Sequence, residues 1–122
     1  MNSLPDAEIV RETAKEDGKV FSALYLELRN ACILFLSEGA DSLGTVSISI
    51  PMRRRIRGPS TSSILLGDRN VVVARLLAER LSNMAGKVAL VSVFTKTADE
   101  MSVAQTFLRL MERVMAKKEE RR

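Results

Sequence analysis

Hydrophobic residues recur along this chain with two different periods. Between positions 20 and 50 they recur about every second residue. In two later segments they recur every three to four. Phe21, Ala23 and Tyr25 alternate with Ser22, Leu24 and Leu26, a pattern that predicts a strand. Arg29 and Asn30 supply a short turn. Residues 31–36 (ACILFL) then form a near-continuous apolar run, too short for a helix and rich in strand formers, and read as a central strand. Residues 38–41 read as a loop. Val46, Ile48 and Ile50 next alternate with Thr45, Ser47 and Ser49, which predicts a strand with the apolar side buried and the hydroxylated side outward. Pro51 ends it, and residues 60–66 (STSSILL) return to extended character.

After Gly67 and Asp68 the period lengthens. Val73, Leu76, Leu77, Leu81 and Met84 share one face of a predicted helix, with Asp68 or Asn70 as its cap and Gly86 as its left-handed terminator. Residues 88–93 alternate again as a strand. A long final helix follows, opened by a capping box of Thr97 and Glu100 and striped by Val103, Phe107, Leu110, Met111 and Val114. Met101, Leu108 and Met115 widen that stripe.

Residues 1–18 are polar, with Pro5 and Gly18 as breakers, and read as a tail or a weak helix over residues 6–15. Residues 19–117 form one domain, and residues 118–122 a charged end. The element order β-β-β-β-α-β-α predicts an α+β fold: a two-layer α/β sandwich, a mainly antiparallel sheet with two helices packed on one face.

The length of 122 residues suits one domain, and 46% apolar with 28% charged residues is a globular balance. The chain contains no histidine, which removes Ser-His-Asp and Cys-His arrangements, histidine metal ligands and the commonest general base. The single cysteine, Cys32, cannot form an internal disulfide and reads as a small core hydrophobe. No catalytic, cofactor or metal site is expected. The first residues lack a basic start leading into an apolar run, and no apolar stretch approaches the roughly 20 residues a membrane span needs. The expectation is a cytoplasmic protein, with the nucleus as a second compartment.

The net charge is +4 and the isoelectric point about 9.6, with Arg53, Arg54, Arg55 and Arg57 close together. This run suits an acidic protein surface or RNA. RNA-binding sheets stack bases on exposed aromatics, and four Phe and one Tyr, most at predicted core positions, leave few to spare. Residues 58–63 (GPSTSS) lack the second glycine and the lysine of a phosphate loop. Met101, Leu108 and Met115 are candidates for a partner or dimer interface, since methionine adapts to partner surfaces.

One stretch is more specific. The run Ser60, Thr61, Ser62, Ser63, Ile64, Leu65, Leu66, Gly67, Asp68, the helix at 74–81 (ARLLAERL), the strand at 87–94 and the closing helix resemble the proteasome assembly chaperone 4 family. The resemblance spans about residues 20–117. It implies a non-catalytic chaperone that pairs with a sister, proteasome assembly chaperone 3, and engages α-type subunits during assembly of the 20S proteasome α-ring. The arginine run has no counterpart in the family pattern. Within the motif, Leu65 and Leu66 are expected to pack, Gly67 to permit the turn and Asp68 to cap the helix. Two readings stand: an assembly chaperone acting as a heterodimer, with a homodimer when isolated, and a basic RNA-associated module using the arginine run.

Overall fold

The computed structural model describes residues 7–52 and 61–120. Among them lie six strands and two helices, in the order β1 (Glu8–Glu16), β2 (Lys19–Glu27), β3 (Ala31–Glu38), β4 (Thr45–Ile50), β5 (Thr61–Leu66), α1 (Val71–Ala85), β6 (Val88–Phe94) and α2 (Glu100–Glu120). The strands form one sheet in the order β1-β2-β3-β6-β4-β5. All neighbours are antiparallel except β3 and β6, which run parallel. The α+β class and the two-layer arrangement are those the periodicity predicts.

Two hairpin units flank β6. On one side β1, β2 and β3 form a meander, and on the other β4 and β5 form a hairpin. The expected run of early strands is therefore split, because β6 inserts between β3 and β4 after the α1 crossover. Helix α2 packs on β1 and β2, and α1 packs on β4, β5 and β6. The core between sheet and helices contains Phe21, Tyr25, Leu34, Leu36, Leu81, Val91, Phe107, Leu110 and Met111, all almost fully buried. Phe21 and Phe107 meet edge to face at 5.6 Å, an arrangement that suits the ring quadrupoles.

The N-terminal segment departs from its reading as a tail or helix. Residues 8–16 are a strand, paired with β2 from Glu8 opposite Glu27 to Glu16 opposite Lys19. Asp17 and Gly18 form the connecting turn, both at positive φ (53° and 76°), as a two-residue turn with the twist of its strands requires. Backbone pairing with β2, the buried Val10 and ion pairs to α2 tie this strand down. Glu12 pairs with Arg113 at 2.7 Å and Lys117 at 3.4 Å, and Glu16 with Arg109 at 3.3 Å, all on α2. Only Val10 adds a fully buried side chain.

The helix caps differ too. Asn70, not Asp68, is the cap of α1; its backbone is left-handed (φ 59°), its side-chain oxygen accepts no capping bond from the helix amides, and its side-chain NH2 donates to Thr95 Oγ1 at 2.9 Å. Asp68 is exposed. The expected box of Thr97 and Glu100 does not form. Asp99 Oδ1 accepts from Ser102 N at 2.8 Å and caps α2, whereas Glu100 Oε2 accepts from Val73 N at 3.0 Å, capping the other helix. Gly86 ends α1 at φ 68°, donating to Ser82 O, as expected. Gly67 has φ 94°, and a Cβ there would lie 2.7 Å from Thr45 Cα, so both conformation and space require glycine.

Candidate protein-interaction site

The pairing registers decide which side chains share a face. Cys32, Leu34 and Leu36 of β3 stand beside Ala89, Val91 and Val93 of β6, and beside Glu27, Tyr25 and Ala23 of β2. These are side chains buried under the helices, the carboxylate of Glu27 included. The residues between them point the other way. Ile33 and Phe35 pair with Leu26 and Leu24 on one side and with Leu90 and Ser92 on the other. Ile48 stands beside Leu90, and Ile9 beside Leu26.

Among the described residues, no helix covers this second face. An antiparallel sheet with one face in water normally alternates to polar residues there. Here Leu24, Leu26, Ile33, Phe35, Ile48 and Leu90 lie contiguous and only half-buried, with Ile9 at 54% and Ile50 at 53% exposure on the margins. A contiguous apolar patch of this kind is a candidate interaction surface. Its polar margin lies at one corner, where the loop after β3 folds over. Ser22 Oγ donates to Gly39 O at 3.1 Å, Ser42 N donates to Ser37 Oγ at 3.0 Å, and Arg11 pairs with Asp41 at 2.7 Å.

Strand β4 reverses its expected orientation. Its hydroxyl side, not its isoleucine side, lies beneath α1. Ser47 and Ser49 are almost fully buried, Ile50 is exposed, and Ser82 Oγ of α1 donates to Ser49 Oγ at 3.2 Å. The register sets this: Ser47 stands beside Val91 and Ser49 beside Ala89, both on the helix side of β6. Small side chains on both elements, including Ala74 and Ala78 of α1, let the helix sit close to the strand. Among the described residues, Ser47 Oγ has no hydrogen-bond partner there.

Two buried carboxylates brace the sheet behind the open face. Glu27 of β2 pairs with Lys118 of α2 at 2.6 Å and with Lys87 at 2.8 Å, and accepts from Tyr25 Oη at 2.8 Å. Burial alone would raise its pKa, but the two ammonium groups and the phenol hold it down at about 2, below its ordinary 4.5. Glu38, at the end of β3, accepts from the amides of Lys96 (2.8 Å), Thr97 (3.0 Å) and Ala98 (3.0 Å), and from Thr97 Oγ1 (2.8 Å). These bonds outweigh burial and also hold it at about 2. Burial pushes the Cys32 thiol up, as suits a core residue.

The candidates from the sequence fall in different places. Met101 is 88% exposed in the first turn of α2. Leu108 is half-buried and lines a groove between the helices with Leu76, Leu77, Met84 and Ala104. Met115 is buried in the core, so its side chain is not free for a partner. Leu65 and Leu66 do not pack as expected. They are 55% and 49% exposed at the end of edge strand β5, where the pairing with β4 is irregular. Arg53, Arg54, Arg55 and Arg57 lie outside the described residues. The open sheet face itself was not among the candidates, although the unbroken apolar run of β3 is the composition of a strand covered on both sides.

No protein-family model matches the chain, and no curated protein matches it by sequence. The fold is similar to that of a chain in the crystal structure of a chaperone complex for yeast 20S proteasome assembly. The likeness covers 93% of this chain and 96% of that one, with a TM-score of 0.67 and 13% identity. Among the described residues, no group of three or more His, Cys, Asp or Glu is placed to hold a metal ion, and no helix is long and apolar enough to cross a membrane.

Proposed function

We propose that this chain is a non-catalytic assembly chaperone of the 20S proteasome. It pairs through its open sheet face with a sister chain resembling proteasome assembly chaperone 3, and the pair holds an α-type subunit in the cytoplasm while the α-ring is built. The open apolar face carries this reading. A sheet with helices on one side and hydrocarbon on the other is half of a four-layer assembly, and a second sheet of the same build completes it. The shared fold with a chain of a proteasome-assembly complex and the Leu65, Leu66, Gly67, Asp68 motif support the choice of partner.

The test is copurification of the tagged chain from its native cell, followed by native mass spectrometry. The expected species are a one-to-one complex with a chain of similar size and a larger complex containing α-type subunits. Phe35→Lys, on the open face, should lose both while the domain stays folded. Retention of every partner by Phe35→Lys would refute this use of the face. Recovery of RNA with no proteasome subunit would instead favour the basic-module reading.

A further inference from the structure

The two edges of the sheet are built differently. Edge strand β1 (EIVRETAKE) carries Glu8, Arg11, Glu12, Lys15 and Glu16, and α2 braces it through three ion pairs. Charges on an edge discourage another strand from adding to it. Edge strand β5 (TSSILL) carries no charge at all. Its neighbour on the inner side is β4, so among the described residues its outer side lies at the end of the sheet. Thr61, Ser63, Leu65 and Leu66 are exposed along it. An uncharged edge of this kind can take up another strand.

We infer that β5 is a self-association site, at which a second copy of this chain adds its own β5 antiparallel to form one continuous sheet. Three observations favour a second copy. Self-pairing of an uncharged strand brings no like charges together. It is closed by a two-fold axis and leaves only the two charged β1 edges at the ends of the joined sheet. Lastly, the α1 residues beside β5 are complementary to themselves. Ser62 Oγ accepts from Arg75 Nε at 3.2 Å and donates to Glu79, so one cation and one anion flank the strand; Arg75 Nη2 also donates to Ser62 O at 3.5 Å, a contact that an incoming strand has to displace. An axis perpendicular to the sheet at Ser63 pairs Ser63 with its copy and Ser62 with Ile64. It brings the Arg75 of each copy toward the Glu79 of the other. The irregular pairing between Val46 and Ser47 ends the regular ladder near Ile64, so the join is short and the dimer weak.

The join uses the backbone edge of β5, whereas sister pairing uses side chains of the open face, which Ser63 borders beside Ile48; the two are therefore compatible and together give a two-plus-two assembly. The test is sedimentation velocity of the full chain over a range of concentrations, with amide exchange across β5. The wild type should move from monomer to dimer as concentration rises, with β5 amides gaining protection. Ser63 is exposed, so Ser63→Lys and Ser63→Glu keep the fold, as circular dichroism will check. Each should weaken the dimer by about fivefold to tenfold through like-charge contact at the axis. An equimolar mixture of the two should restore it. Phe35→Lys should leave self-association intact. A wild type that stays monomeric throughout overturns the inference. So does a dimer that persists in both Ser63 variants, or one lost in Phe35→Lys; sister-chain copurification is read separately, with the wild type and Phe35→Lys.

Discussion

The two faces of this sheet have nearly the same hydrophobicity and opposite fates. On the helix side, Leu34 stands between Tyr25 and Val91 with no exposure. One residue along, Phe35 stands between Leu24 and Ser92 and is only half-buried. Both are large, apolar and central in the same strand. What separates them is the pair of helices that follow β5 and β6, which cover one face and leave the other. Apolar character alone therefore does not separate core from interface. A residue belongs to the core when an element of its own chain covers it, and to an interface when cover has to come from elsewhere.

Truncation of a ring on each side of the sheet should separate the two faces most. Phe107→Ala removes a ring buried against Phe21 and should cost about 3–5 kcal/mol in denaturant-unfolding stability. Phe35→Ala on the open face should cost under about 1 kcal/mol, because that side chain is part-solvated and leaves no enclosed cavity. Equal losses would mean that the open face contributes to the isolated fold as the core does.

Charge provides the next contrast. Glu27→Gln leaves Lys118, which is 6% exposed, without its counter-ion and should cost about 3–5 kcal/mol. Glu112→Gln breaks the ion pair with Arg80, where both side chains are about half exposed, and should change stability by under about 1 kcal/mol. Paired urea titrations of the two variants measure the difference.

Acid should act on the covered side too. Glu27 and Glu38 are both held at about 2, below the ordinary 4.5. A depressed carboxyl binds fewer protons folded than unfolded, so its contribution is complete above pH 4.5 and is lost as pH falls toward 2. Stability measured by urea titration should decline across that window. Glu38→Gln should flatten part of the decline and lower stability at neutral pH, since a neutral amide accepts the three backbone amides more weakly.

The smallest effect expected is Ser47→Ala. Ser47 Oγ is buried beneath α1 without a partner among the described residues, so removing it should leave stability unchanged or raise it by up to about 1 kcal/mol in thermal melts. A clear loss would mean that the hydroxyl bonds to a group outside the described residues.

The sequence was most legible where a local rule suffices. The period of the hydrophobic residues places β2 to β6 and both helices, and Gly67 and Gly86 punctuate the chain where expected. The hairpin of β1 was also written locally, in Asp17 and Gly18 between two alternating segments, but the polar character of residues 8–16 obscured it. Of the candidate partner residues, Met101 is exposed, Leu108 half-buried and Met115 in the core, because the apolar stripe of a long helix is wider than the face it buries. Glu27 and Glu38 could not have been recognised as anchors, since Lys118 and the amides of Lys96, Thr97 and Ala98 lie far along the chain.

Strand β4 shows where the sequence stops. Its alternation of isoleucine and serine establishes that two unlike faces exist. Hydrophobicity alone would bury the isoleucines. The register with β6 buries the serines, because Ser47 and Ser49 stand beside Val91 and Ala89, and α1 covers that side. Periodicity is a property of neighbouring residues and so fixes the element and its two faces. Which face is covered depends on strand order, register and the return path of a helix, all of which join residues distant in sequence. Those contacts make one apolar face the core of this domain and leave the other open.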